Sequence, residues 1–326
     1  MNRNCPYIGL EPPDFHLDMS QNKIAVAIPT YRRKDMLIRL IGSIPPEWRV
    51  FVSDNGSSLL PLDSPLGQQV TVSHSSELLG MFTNWNRALS LVVADCTHVF
   101  IPSDDDIFLP GAGSIVKQAL ERCPNGDIFI FGCDLFDEND RRWNGYVPET
   151  LESLPAGEGF RKFVAGVDAR MPGVLLRHDF LKRIGGFDDQ MQLTAADSDL
   201  VQRALLLGRS VFIPEVIGLY RIWSGSLTHA RQATDQWMEE VTLWTGKIAA
   251  LLEAGHHPAG TRIDVVRYRD EIFARNLLAA LGNLLNKGEV DKARDFLRRH
   301  PVPSCVALPT RLRLMRLRLL MWLGTR

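Results

Sequence analysis

KIAVAIPTYRRKDMLIRLIGS, Lys23 to Ser43, followed by RVFVS, Arg49 to Ser53, decides the fold class. Its first seven residues are a short, nearly continuous apolar run rich in Val, Ile and Ala, the pattern of a strand buried on both faces. Arg33 to Ser43 then sets apolar residues at helical spacing, and RVFVS returns to a strand that stops at the turn Asp54-Asn55-Gly56. The unit is β-α-β, and the alternation continues. A strand is expected at 70–73, a helix at 81–94, a strand at 98–102, a helix at 113–122 and a strand at 127–132. Strands alternating with amphipathic helices predict an α/β fold, an open and mostly parallel sheet with flanking helices. Ligands of such sheets sit beyond the carboxyl ends of the strands, so the residues after each strand are the ones to weigh.

Residues 133–169 are broken by Gly145, Pro148, Pro155, Gly157 and Gly159 and predict an insertion. A strand at 171–177, a helix at 179–184, the turn Gly185-Gly186-Phe187-Asp188, a helix at 197–207 and strands at 210–213 and 217–220 follow. From about Thr234 the pattern is helical, with polar breaks at 255–260 and 286–289. The expected organisation is a tail at 1–22, an α/β domain at 23–232 and a helical module at 233–326.

The bulk composition narrows the function classes. With 326 residues, 45% hydrophobic and 23% charged, the chain is globular and long enough for a large domain plus an appendage. A formal charge of -1 gives no global basic field, which argues against nucleic acid as a partner. Five cysteines, widely spaced and without a CxxC pair, predict neither a disulfide framework nor a structural zinc site and fit a reducing cytoplasm. No apolar run reaches the roughly 18 residues that cross a bilayer. Leu308 to Arg326, however, interleaves leucines and Trp322 with arginines, which suits either a packed helix or a peripheral contact with the inner face of a membrane. The P-loop, dinucleotide and hydrolase-elbow signatures are absent from the sequence.

The strongest local signal is Ser103-Asp104-Asp105-Asp106, directly after the apolar VFIP. Adjacent carboxylates repel more strongly as water is removed, so a buried cluster needs a counter-charge. Mn2+ or Mg2+ would supply it, completing a shell of one or two carboxylates with phosphate and water. The competing reading is a solvated acidic turn. Pro29-Thr30-Tyr31-Arg32-Arg33 after the first strand offers hydroxyl and ring groups to a nucleoside and guanidinium to phosphate, or simply a helix start capped by Thr30. Asp54 suits a pyrimidine N-H or an Asx-turn. Asp197 and Asp199 at the head of a helix suit a general base or a cap.

Taken in order, IPTYRR, VSDNGSS, LLGMFTNWNRAL, VFIPSDDDIFLPG, GGFDD and ADSDLVQRALLLG resemble glycosyltransferase family 2, which has the GT-A fold, over Lys23 to His229. The resemblance implies a metal-dependent inverting transfer of a sugar from a nucleoside diphosphate sugar to an acceptor hydroxyl in glycan or polysaccharide assembly. It implies a UDP- or dTDP-sugar donor held by Pro29, Thr30, Tyr31, Arg33, Asp54, Asn84, Asp104 and Arg221, with Asn86 also bordering the pocket. It implies Asp105, Asp106 and His229 at the metal, Asp197 as the base, and a glycan or lipid-linked acceptor. Two departures stand out. Ser103 replaces an Asp that many members carry, and Ala196 replaces the Glu of an acidic pair, which keeps a non-catalytic binding subunit open as an alternative. A nucleotidyltransferase is the other alternative, although IPTYRRKD lacks the expected glycine-rich loop. The C-terminal helices leave room for a homodimer.

Overall fold

A computed structural model describes residues 22–59, 69–193, 195–223 and 231–323. The first unit is the β-α-β read from the sequence: β1 (Ile24–Thr30), α1 (Lys34–Ser43) and β2 (Arg49–Asp54). Then come β3 (Val70–His74), α2 (Met81–Ser90), β4 (His98–Phe100), β5 (Ile107–Phe108), α3 (Ala112–Arg122) and β6 (Ile128–Phe136). The expected insertion supplies two short strands, β7 (Arg142–Tyr146) and β8 (Glu152–Leu154). The chain re-enters the sheet through β9 (Val174–Arg177), α4 (His178–Ile184), α5 (Ala195–Leu207) and β10 (Ser210–Arg221).

Eight strands of the ten-stranded sheet run in the order β3-β2-β1-β4-β9-β6-β10-β5. β1, β2, β3 and β4 are mutually parallel. β9 is antiparallel to both β4 and β6, so β6 regains the direction of β4, and β10 runs parallel to β6. Register matters for function here: Thr30 pairs with Asp54, and Asp54 with His74, so three strands finish in one row. The anticipated strands at 210–213 and 217–220 are one strand, β10, with register shifts between Ile213 and Val216 and between Val216 and Gly218. Pro214 lacks the N-H a regular ladder needs, so the strand bulges there and continues.

Both faces of the sheet are covered, which explains why β1 is buried at every position. On one face α1 and α3 close over Trp48, Phe100 and Phe108, with Trp48 stacked on Phe100 at 5.0 Å between ring centroids. On the other face α2, α4 and α5 join α6 (Asp235–Glu253), α7 (Val265–Asn286), α8 (Val290–Arg299) and α9 (Leu308–Leu323) in one apolar cluster. The helical C-terminal region is bolted to α5 by Gln202, whose Oε1 accepts from Trp244 Nε1 at 3.0 Å and from the Tyr268 hydroxyl at 2.6 Å. The core therefore runs continuously across the expected boundary at 232/233.

Candidate active site

β1 ends at Thr30 on the carboxyl edge of the sheet, and the chain turns sharply there through Arg32, a non-glycine residue at φ 58°. Such a conformation is sparsely populated and is held here by Arg32 N donating to Ser58 Oγ at 2.9 Å. The turn sends Arg33 toward the loop after β4. Thr30 Oγ1 donates to Asp104 Oδ2 at 2.7 Å, while Arg33 Nη1 reaches Asp104 Oδ1 at 2.9 Å and Asp105 Oδ2 at 3.1 Å. Trp223, just past β10, donates its indole N-H to the same Asp105 oxygen at 3.0 Å, and Arg33 lies 5.5 Å over the Trp223 ring. The counter-charge that the acidic run requires is thus a guanidinium shared between two carboxylates.

The three aspartates differ in what their surroundings allow. Asp104 is buried, and burial pushes its carboxyl up to about 6 even though Arg33, Thr30 and the Tyr31 backbone favour the charged form. Asp106, anticipated as a metal ligand, points inward at 1% exposure. Its oxygens accept from the N-H of Ser103 at 2.9 Å and of Arg221 at 3.3 Å, and burial drives its carboxyl well above the ordinary range. Asp106 therefore clamps the loop to β10 instead of facing a cation. Asp105 is buried too, at 8% exposure, with its Oδ2 engaged by Arg33 and Trp223. Among the described residues no group of three or more His, Cys, Asp or Glu forms a metal cage. A hard carboxylate with one oxygen not engaged by any of the described residues fits only the arrangement in which a single Asp is supplemented by the ligand's own oxygens. His229 lies outside the described residues.

Other residues expected to touch the donor are committed to protein partners. Asp54 is fully buried: Oδ1 accepts from the Ser58 N-H at 3.0 Å and hydroxyl at 2.7 Å, and Oδ2 from the Leu59 N-H at 3.0 Å and His74 Nδ1 at 2.8 Å. Its acceptor capacity is spent on shaping the loop. Asn84 is turned to β2, where its Oδ1 accepts from Ser53 Oγ at 2.7 Å. Asn86 is committed to the turn before α5, donating to Phe187 O at 2.8 Å and accepting from Phe187 N at 2.9 Å. Pro29 is buried inside β1, whereas Tyr31 remains 36% exposed beside the turn, with Arg32 4.9 Å over its ring. Arg221 is buried: its guanidinium lies 4.3 Å over Phe136, and its Nε donates to Asp105 O at 3.1 Å.

Asp197 opens α5 half-buried, and burial raises its carboxyl to about 6, against the pull of Ser198 and Arg170. Asp199, the other sequence candidate, is fully buried and paired with Arg203 at 2.8 Å and Lys247 at 3.4 Å, which makes it a structural ion. Ala196 is packed in the core. Three residues were missed in the sequence. Arg170 lies 5.2 Å over the Tyr220 ring and close enough to influence Asp197 and Tyr220 electrostatically. Trp223 fixes Asp105. Glu240 of α6 accepts from the N-H groups of Gln192 at 2.7 Å and Leu193 at 2.9 Å, steadying the loop that leads to Asp197. Trp223 stands just past a strand end, a signal that the sequence offers, whereas Arg170, ahead of the turn at Met171–Gly173, and Glu240 carry none.

The mostly parallel ten-stranded sheet with helices on both faces and an appended helical region is an α/β architecture of GT-A type. Solved structures with this fold include S. aureus TarS, with TM-score 0.56 at 15% identity, covering 90% of this chain and 54% of that one. The present chain therefore spans about half of that protein's length. The 1-349 portion of TarS in complex with UDP-GlcNAc has TM-score 0.56 at 16% identity, covering 86% of this chain and 82% of that one. No family model matches the sequence, and no curated protein does.

Proposed function

We propose that the chain is an inverting glycosyltransferase that moves a sugar from a nucleoside diphosphate sugar, of UDP or dTDP type, to a hydroxyl of a glycan or lipid-linked acceptor. The observation that carries this reading is the presence of two chemically distinct carboxylate sites, Asp104 and Asp105 bridged by Arg33 and Asp197 apart from them with a raised pKa, with Asp105 and Asp197 both within electrostatic reach of Tyr220. The TarS complex with UDP-GlcNAc supports a UDP-sugar as the donor class.

In this reading Thr30, Tyr31 and Asp104 meet the nucleoside, and Arg33 swings its guanidinium between the carboxylates and the diphosphate. Arg221 and Asp106 act through the loop they hold, as positioning residues. A divalent cation, Mn2+ or Mg2+, would be held by Asp105 and would supply positive charge at the diphosphate. Asp197 takes the acceptor hydroxyl's proton as the new C-O bond forms on the face opposite the leaving group. The bond from the anomeric carbon to the diphosphate oxygen breaks, and its electron pair leaves with the nucleoside diphosphate.

The test separates binding from chemistry. Asp197→Asn is expected to lower transfer by roughly a hundredfold or more while leaving the donor's thermal stabilisation of the protein intact. Asp105→Ala is expected to reduce that stabilisation in the presence of manganese. Equal loss of donor binding in both variants overturns the division of roles, and no stabilisation by any UDP-, dTDP- or GDP-sugar overturns the reading itself.

A further inference from the structure

The last described helix, α9, has two apolar faces, one buried and one largely exposed. Leu314, Met321 and Thr310 are buried against the helices below, with Leu317 half-buried beside them. On the opposite side Leu308, Leu312, Met315, Leu319 and Trp322 follow one another at spacings of four, three, four and three, one helical stripe, and each is between 55% and 67% exposed. A stripe of large apolar side chains of this length is unusual on a water-facing helix.

Charge decides what the stripe fits. Arg311, Arg313, Arg316 and Arg318 flank it on both sides, and α9 contains no acidic residue. Near the end of the helix, a cavity of about 290 Å³ is lined by Arg294, Leu297, Arg318, Met321 and Trp322, so two guanidinium groups and an indole share one rim. From these observations we infer that α9 is a docking surface for an anionic phospholipid bilayer. The helix lies in the interfacial plane, its leucines enter the acyl boundary, and its arginines reach the lipid phosphates along their apolar stems. A second copy of the chain fits poorly, because a two-fold contact through this stripe brings arginines against arginines with no acid on either helix to meet them. Among the described residues no helix is long and apolar enough to cross a membrane, so the attachment is to one leaflet.

The experiment is co-sedimentation of the full chain with vesicles of phosphatidylcholine alone and of phosphatidylcholine with phosphatidylglycerol. Binding is expected only with phosphatidylglycerol and is expected to weaken as salt is added. Leu312→Ser combined with Leu319→Ser, and separately Arg313→Gln combined with Arg316→Gln, are each expected to lower the partition coefficient by roughly tenfold or more. These side chains are solvent-exposed, so circular dichroism should be unchanged; if the leucine pair does not fold, the arginine pair carries the test. No binding to anionic vesicles at low salt overturns the inference, as does binding that neither pair reduces. A dimer in light scattering that the leucine pair dissociates, without vesicle binding by the parent chain, assigns the stripe to a second copy and overturns it equally.

Discussion

At the scale of single residues, Asp197 and Arg170 make the proposed chemistry testable through pH. A general base works only when ionised, and Asp197, raised to about 6 by burial, is ionised above that value. The transfer rate under saturating donor is therefore expected to rise through about pH 6 and level off above it. Arg170 holds the carboxyl lower than burial alone would. Arg170→Met removes that cation and is expected to move the rising limb to higher pH, with the donor's thermal stabilisation unchanged. A pH-rate profile checks both, and an unmoved limb in Arg170→Met removes Arg170 from the account. Thr30, Arg33, Asp104 and Asp105 were legible beforehand because strand ends in a parallel sheet converge, so the residues after each strand must be neighbours. Asn84 and Asp106 instead turn to protein partners, Ser53 and the N-H groups of Ser103 and Arg221, for the complementary reason. One position along a helix turns a side chain by about 100°, and a tight turn can point a carboxylate inward, and neither rotation is written in a motif.

Elements act through the joints between them. The turn before α5 approaches α2 so closely that a side chain at Gly186 would collide with Asn86 Oδ1, whose carbonyl already accepts from Phe187 N. Gly186→Ala is expected to cost about 1–3 kcal/mol, by overpacking and by loss of that hydrogen bond. Asn86→Ala is expected to cost a similar amount, and urea unfolding of both variants and of the double variant checks the coupling, since residues sharing one joint should give less than additive losses. The β-α-β units were legible in hydrophobic period alone, whereas the ends of elements were not. α2 stops at Ser90, four residues short of the expected end, and β6 runs to Phe136, four residues past it. The extra length of β6 is paired on both sides, with β7 and with β10, and such tertiary pairing has no local signature.

Across the whole molecule, stability depends on what the sheet buries between its two helical layers. His98 in β4 is buried, its Nε2 has no hydrogen-bond partner among the described residues, and its ring meets Phe129 edge-on at 5.8 Å. Burial first, and Arg177 second, depress its pKa to about 4 from 6.5. A depressed histidine stays neutral in the folded chain while the unfolded chain takes up a proton, so its contribution is fully present above about pH 6.5 and is lost as the pH falls toward 4. The loss approaches about 3 kcal/mol once both values are passed. Other buried groups titrate in the same window, the raised carboxylates among them, so the acid profile of the parent chain alone cannot isolate the histidine. A difference can. His98→Phe keeps an aromatic ring against Phe129, removes the orphaned nitrogen and cannot be protonated. Its melting temperature relative to the parent is expected to climb steadily between pH 7 and 4.5 in paired thermal melts, and parallel curves would show that His98 carries no protonation penalty.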